Sequence, residues 1–447
     1  MTITDPPVTD SPVEHGGTAF DQLIDSVRAE FDTQFTWDYG RGRDGLNRLY
    51  EKAKRSQWNV SDDLDWSTDV DPERMIRLQA EATGVPAGFP ARSLLDVKGS
   101  PVASWNDDQW VDFAVHSQCA SLSQFLHGEQ GALLCTARLV EAVPWIEAKY
   151  YGSTQVVDEA RHVEAFARYL DEKMPTTYPI NENLKSLLDA VLTDERWDLV
   201  YLGMQVVIEG LALAAFGMML GTTQEPLLKQ MLRYVMADEA RHVAFGILSL
   251  REIYDDLPAD DFRLRQEFAY EACDQMRRRT LNAELWPHFG LDNADIVAAL
   301  PDREAQQRFQ HILFSKIVPN CKKLGLLDHR DGWLRERFQE MNIIQFEDWE
   351  NTAEALNLEG RVDDSQAPTS FDPDALEGVE VIDEPIQASC TDQEHQIHDD
   401  HRAPSRRTRD RCGIRLPVVR QRPRPDRRLL PQQRRRQFAD QRGRRQR

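Results

Sequence analysis

Apolar residues recur at helical spacing through most of the chain, and strand-like alternation is scarce. Four long apolar-periodic stretches dominate, near residues 108–141, 145–173, 195–220 and 226–256. Each exceeds an average helix, as the members of a bundle do. Shorter helical patterns surround them: FDQLIDSVRAEFDTQF from Phe20, GLNRLYEKAKRSQW from Gly45, and a helix over 72–83 that begins at Pro72 and ends in GVPAGFP. Three more helices are expected near 260–285, 302–324 and 332–347. The pattern predicts an all-α fold, a four-helix bundle with extra flanking helices.

The ends read differently. Residues 1–18 are rich in Pro, Thr, Asp and Gly and are expected to form a disordered tail. The helical domain is expected over 19–350, with its bundle at about 108–256. From 351 to 447 the periodicity fades into an acidic, Pro-containing stretch and then an end that is Arg-rich from 401, too polar to order itself.

Composition narrows the class. The chain is 41% hydrophobic and 29% charged, as globular proteins are. Charged residues interrupt every apolar run, so no membrane span is expected. The first twenty residues lack a basic start and an apolar stretch, which argues against a signal peptide and for the cytoplasm. The net charge of −21 hides a split: the last 47 residues hold 18 Arg, no Lys and 3 Asp. The remaining body is strongly acidic, which disfavours nucleic-acid binding by the folded part. The basic end is read as a phosphate-contacting arm, as a frame-change product, or as a tail unrelated to catalysis, the last being preferred. Six scattered cysteines form no C-x-x-C pair, so no zinc, cluster or disulfide framework is indicated.

Chemistry enters with a repeat. Asp158-Glu159-Ala160-Arg161-His162 returns as Asp238-Glu239-Ala240-Arg241-His242, each inside a long helix. Glu and His three apart share one helix face, so each pair can reach one metal ion. A carboxylate and an imidazole suit iron. A bundle site of this kind needs one more carboxylate from each of two further helices. Residues at one height in a helical hairpin are equidistant from its turn. Glu129 and Glu159 are centred on Pro144, and Glu209 and Glu239 on Gln224; both centres fall in turn signals, EAVPWIE and GTTQEP. Glu129 and Glu209 each stand among apolar residues, where a carboxylate needs a proton, an arginine, another cation or a metal. Asp158 and Asp238 are placed to orient the histidines, and Arg161 and Arg241 to offset those aspartates. His127 points to another face and is read as structural, and the Trp58–Trp66 region as packing.

The chain resembles the ferritin-like di-iron carboxylate superfamily through Glu129, DEARH at 158–162, Glu209 and DEARH at 238–242. Within it, the resemblance is closest to bacterial multicomponent monooxygenase hydroxylases and to the small subunit of class I ribonucleotide reductase. QWNVSDDLDWS at 57–67 also resembles the link before the first bundle helix of the reductase subunits. The match spans roughly 45–290 and is strong around the six ligands. It implies two iron ions, one on Glu129, Glu159 and His162, the other on Glu209, Glu239 and His242, bridged by Glu159 and Glu239. A manganese–iron pair is also compatible. Phe166 stands where the reductase has its radical tyrosine, Leu213 where hydroxylases carry a threonine, and Val235 where arylamine oxygenases have a third histidine.

The expected function is dioxygen activation by a di-iron monooxygenase or oxidase acting on an apolar or aromatic organic substrate. Its pocket is expected among Phe125, Ala132, Leu133, Phe166, Ala212, Leu213 and Phe216. No dinucleotide or cluster motif is present, so electrons are expected from a separate reductase or ferredoxin; a homodimer is also compatible. The alternative is iron binding or handling without an organic substrate.

Overall fold

The computed structural model describes residues 25–29, 32–277, 285–300, 311–328 and 331–349. All described elements are helical, in keeping with the all-α expectation. The bundle consists of two antiparallel hairpins. Helix α1 (Asp44–Arg55), α2 (Pro72–Thr83) and the short α3 (Ala91–Leu95) precede it. The first hairpin is α4 (Asp107–Ala142) with α5 (Ile146–Lys173), turning at Pro144. After α6 (Glu182–Thr193), the second hairpin pairs a helical run from Trp197 to Thr222 with α9 (Pro226–Tyr254). Both turns lie where the register argument centred them.

Local chemistry sets several boundaries. Asp71 caps α2 by accepting from the Arg74 amide at 3.0 Å, Pro72 follows at its first position, and Gly84 closes it at φ 67°. Asn106 and Gln109 form a reciprocal capping box on α4. Glu225, buried, accepts from the Leu227 amide at 2.7 Å and from the Leu228 amide to start α9, and also accepts from the Tyr169 hydroxyl at 2.8 Å.

The run from Trp197 to Thr222 is not uniform. It passes from α7 (Trp197–Tyr201) through a π-helical turn, Leu202–Ile208, into α8 (Glu209–Thr222). A π turn fits an extra residue into the ladder and re-aims the side chains beyond it, a device common at functional sites. The run is long and apolar enough to cross a membrane, which corrects the expectation that charge interrupts every such stretch. Yet 83% of its most apolar stretch is buried inside the bundle. It is a core helix.

Other expectations shift. The helix expected from Phe20 is absent where described: residues 25–29 and 32–43 are non-helical. Phe35, Trp37 and Tyr39 remain exposed, so the segment lacks the packed apolar face that stabilises a short helix. It is tethered to the α4–α5 corner by the Gln34 amide to the Glu141 carbonyl at 2.9 Å and the Thr36 hydroxyl to Pro144 at 2.7 Å. The helix expected over 260–285 is α10 (Ala259–Arg277), with 278–284 outside the described residues. Within 302–324, residues 301–310 lie outside them, and Ile317–Lys323 follows a 3₁₀ turn. Pro319 prevents these two from fusing. Trp333–Glu340 ends earlier than expected, just before Asn342 turns left-handed at φ 57°. Both expected disordered tails, 1–18 and 351–447, fall outside the described residues.

The core divides in two. One apolar cluster gathers Ala132, Cys135, Tyr151, Val206 and Phe245; the other gathers Cys119, Leu122, Phe166, Phe216 and Leu232. On α4, α5 and α9 the changeover between them falls at Glu129, at Glu159 and His162, and at Glu239 and His242. A polar layer lies there, between two dry halves.

Candidate metal centre

Each bundle helix delivers one carboxylate into that layer, and α5 and α9 each add a histidine. All six side chains are buried, the two histidines completely. Two overlapping groups have ligand atoms within 4.8 Å of one another: Glu129, Glu159, His162 and Glu239, and Glu159, Glu209 and His242. Glu159 belongs to both. It lies 3.5 Å from His162 Nδ1 through Oε2 and 3.2 Å from His242 Nδ1 through Oε1. Glu239 mirrors it, with Oε1 at 3.1 Å from His162 and Oε2 at 3.3 Å from His242. Glu129 Oε2 stands 3.1 Å from His162 Nδ1. Both middle carboxylates thus reach the two imidazoles, one oxygen to each.

The surrounding contacts cross between the motifs. Because α5 and α9 run antiparallel, each histidine is backed by the aspartate of the other motif. His162 Nε2 lies 3.2 Å from Asp238, and His242 Nε2 lies 3.3 Å from Asp158. Each nitrogen opposite the glutamates thereby has an anionic acceptor, which fixes the tautomer. Arg161 pairs with Asp158 and lies 3.4 Å from Asp238; Arg241 pairs with Asp238 and lies 3.6 Å from Asp158. Each arginine thus lies within ion-pair distance of both aspartates. Trp58 does more than pack: its indole N–H donates to Asp238 at 2.8 Å. Gln57 accepts from Arg161 and donates to Asp158 at 3.3 Å.

With the arginines balancing the aspartates, four glutamates remain, the formal charge that two divalent cations would neutralise. Burial and the Glu239 charge hold Glu129 and Glu209 well above the usual carboxylate range. Burial pushes Glu159 the same way, but His242 and His162 overcome it and lower it. Burial disfavours both imidazoliums, yet the facing carboxylates raise both histidines well above their ordinary value. Glu159 Oε2, Glu209 Oε2 and Glu239 Oε1 accept no hydrogen bond although buried. Orphaned carboxyl oxygens beside two imidazoles fit a metal pair.

Two buried glutamines, absent from the sequence expectation, join this layer. Gln155, one turn before Glu159, donates to Glu159 at 2.9 Å and to Glu209 at 2.8 Å; Gln205, in the π turn, accepts from it at 3.1 Å. The sequence signal is a second polar residue one turn before each ligand in an otherwise apolar run. Of the expected pocket, Phe125, Phe166 and Phe216 come together, with ring centroids 4.7–5.8 Å apart. Ala132 and Leu213 belong to the opposite apolar cluster, Ala212 packs half-buried on the side of the phenylalanines, and Leu133 is half-buried. Two surface clefts, one along Tyr50 and Tyr150, the other along Arg74 and Leu78, are lined by none of the seven. His127 bonds the Tyr178 carbonyl at 2.9 Å, consistent with a structural role.

A bundle in which two helices give one glutamate each and two give Glu-x-x-His has the architecture of the ferritin-like di-metal carboxylate superfamily. Its buried Glu/His cluster is suited to a pair of iron ions or to manganese with iron. No family model and no curated protein matches the chain. Among solved structures, it is similar to a Tyr-to-Phe variant of the R2-like ligand-binding oxidase, aerobically reconstituted with a Mn/Fe cofactor. That match has 16% identity and a TM-score of 0.40, and covers 64% of this chain and 94% of the other. An anaerobically reconstituted variant of that oxidase matches at 19% identity and a TM-score of 0.39, covering 70% and 99%. Likeness at this level assigns no role to any residue.

Proposed function

We propose that this chain is a cytoplasmic di-metal oxidoreductase that activates dioxygen and oxidises a small apolar or aromatic substrate, as a monooxygenase or oxidase. The observation that carries the reading is that Glu159 and Glu239 each reach both buried histidines, one oxygen to each. Glu129, Glu159 and His162 would hold one ion, and Glu209, Glu239 and His242 the other, with Glu159 and Glu239 shared. A reduced pair of this kind supplies the electrons that activate dioxygen. The protein's own part is positioning and exclusion. The crossed Asp–His contacts hold both imidazoles with Nδ1 toward Glu159 and Glu239, and Trp58, Arg161 and Arg241 hold the aspartates. Phe125, Phe166 and Phe216 close one side against water, and Leu213 keeps the neighbourhood apolar. A separate reductase or ferredoxin would supply electrons.

The test is anaerobic loading with iron, reduction, and exposure to dioxygen. Oxygen uptake by a protein holding two ions, lost in Glu159→Ala, supports the reading. Mineral deposition at many ions per chain would replace it with iron storage.

A further inference from the structure

The two ends of the candidate metal layer are not equivalent. Among the described residues Glu129 meets no amide donor from a glutamine, whereas Glu209 and the shared Glu159 both face the side-chain nitrogen of Gln155. That nitrogen has three acceptors within 3.1 Å: Glu159 Oε1 at 2.9 Å, Glu209 Oε1 at 2.8 Å and Gln205 Oε1 at 3.1 Å. These acceptors fix which way the amide points, because its oxygen in that place would face the ionised Glu159 and the Gln205 oxygen. The same logic fixes Gln205, whose oxygen must face Gln155. Orientation therefore passes from the carboxylates through Gln155 to Gln205.

The amide has only two N–H groups for those three acceptors, so one is always undersupplied. Both glutamines are completely buried, and Gln155 Oε1 and Gln205 Nε2 have no partner. Burying two amides at that cost needs a return elsewhere. The backbone also makes room for the pair. Gly246 on α9 sits against Gln205 so closely that a β-carbon there would lie 2.5 Å from Gln205 Cβ.

Resting on the di-metal reading above, we propose that Gln155, braced by Gln205 on the π turn, is a positioning clamp for Glu209 and Glu159. The clamp makes the metal position at His242 bind differently from the one at His162. It holds one oxygen of each carboxyl group in a fixed place before any ion arrives. Among the described residues Glu129 and His162 have no such brace, so the position at His242, where both clamped side chains meet, depends on it more than the position at His162, which shares only Glu159. Removing a hydrogen bond to a ligating group of this type costs about 10–100-fold in metal affinity.

The test uses the full chain, stripped of metal by chelation and titrated anaerobically with ferrous iron by calorimetry, with Mössbauer spectra at one and two equivalents. Gln155→Met keeps the side-chain volume and removes the donor. One of two binding events should weaken about 10–100-fold and one of two spectral components should change, with a smaller effect on the other, which shares Glu159. Gln205→Met should do the same to a smaller degree, and carries the test if Q155M does not fold by circular dichroism. Unchanged affinities and spectra overturn the clamp, and so does equal loss at both positions. If the wild-type chain binds no iron pair, the functional reading fails, and crystal structures of the metal-free proteins judge the clamp alone. Displacement of the Glu209 side chain in metal-free Q155M supports it; an unmoved Glu209 overturns it.

Discussion

Asp238 is the most heavily used aspartate of the centre, and Asp238→Asn tests how much of the layer it holds. Its carboxylate accepts from the Trp58 indole at 2.8 Å, backs His162 Nε2 at 3.2 Å, pairs with Arg241 and lies 3.4 Å from Arg161. Burial alone would raise its pKa, but Arg241 and the neighbouring His162 overcome this and hold it far below the usual range, so it is an anion in the folded chain. Asparagine keeps the shape and removes the charge. Its amide also turns N–H groups toward donors. Arg241, 2% exposed, is left with a buried charge offset only by Asp158 at 3.6 Å. Breaking a buried pair this way costs about 3–5 kcal/mol. For a domain of this size each kcal/mol moves the midpoint by roughly 2–4 °C, so metal-free D238N should melt roughly 10 °C lower. Scanning calorimetry measures it, and a midpoint within about 2 °C of wild type would refute the reasoning.

Other consequences follow from the same geometry. Gly246→Ala should destabilise the chain by about 1–3 kcal/mol, because its β-carbon meets Gln205 Cβ rather than a flexible tip; denaturant unfolding reads this directly. The metal-free protein should be more stable near pH 6 than near pH 9. Glu129, Glu209, His162 and His242 all bind protons more tightly folded than unfolded, so stability present below the unfolded values of 4.5 and 6.5 is lost as pH rises through the folded ones. Asp238 opposes this only at low pH, where its contribution is lost as pH falls through its depressed value. Thermal midpoints across that range check the sign. Cys119 and Cys321, buried thiols pushed up to about 11 and about 12 by burial, should resist alkylation until the protein unfolds.

The sequence made the six candidate ligands legible because two independent regularities coincided. The DEARH repeat marks one face of each of two helices, and equal spacing about Pro144 and Gln224 finds the partner glutamates at the same height. Periodicity gave the four bundle helices within a few residues. The crossed Asp–His contacts were not legible, since they depend on α5 and α9 facing one another rather than on either motif. Nor was the π turn, because an apolar run such as LGMQVVI looks the same with or without an extra residue per turn. Gln155 and Gln205 carried a signal, as polar residues one turn from a ligand, but spacing alone does not separate a clamp from a solvated face. Trp58 was legible as buried; the acceptor for its indole lies 180 residues away. The expected helix from Phe20 failed because helical periodicity does not reveal whether an apolar face has anything to cover.

The central claim is that this bundle holds two ions through shared carboxylates. Iron-loaded protein should show two metal ions per chain by mass-based metal analysis, and Mössbauer spectra of a magnetically coupled pair. Glu159→Ala should lose the coupling and both ions, whereas Glu129→Ala should lose only one. A single uncoupled ion in the wild-type chain, or a pair that survives without Glu159, would contradict the account.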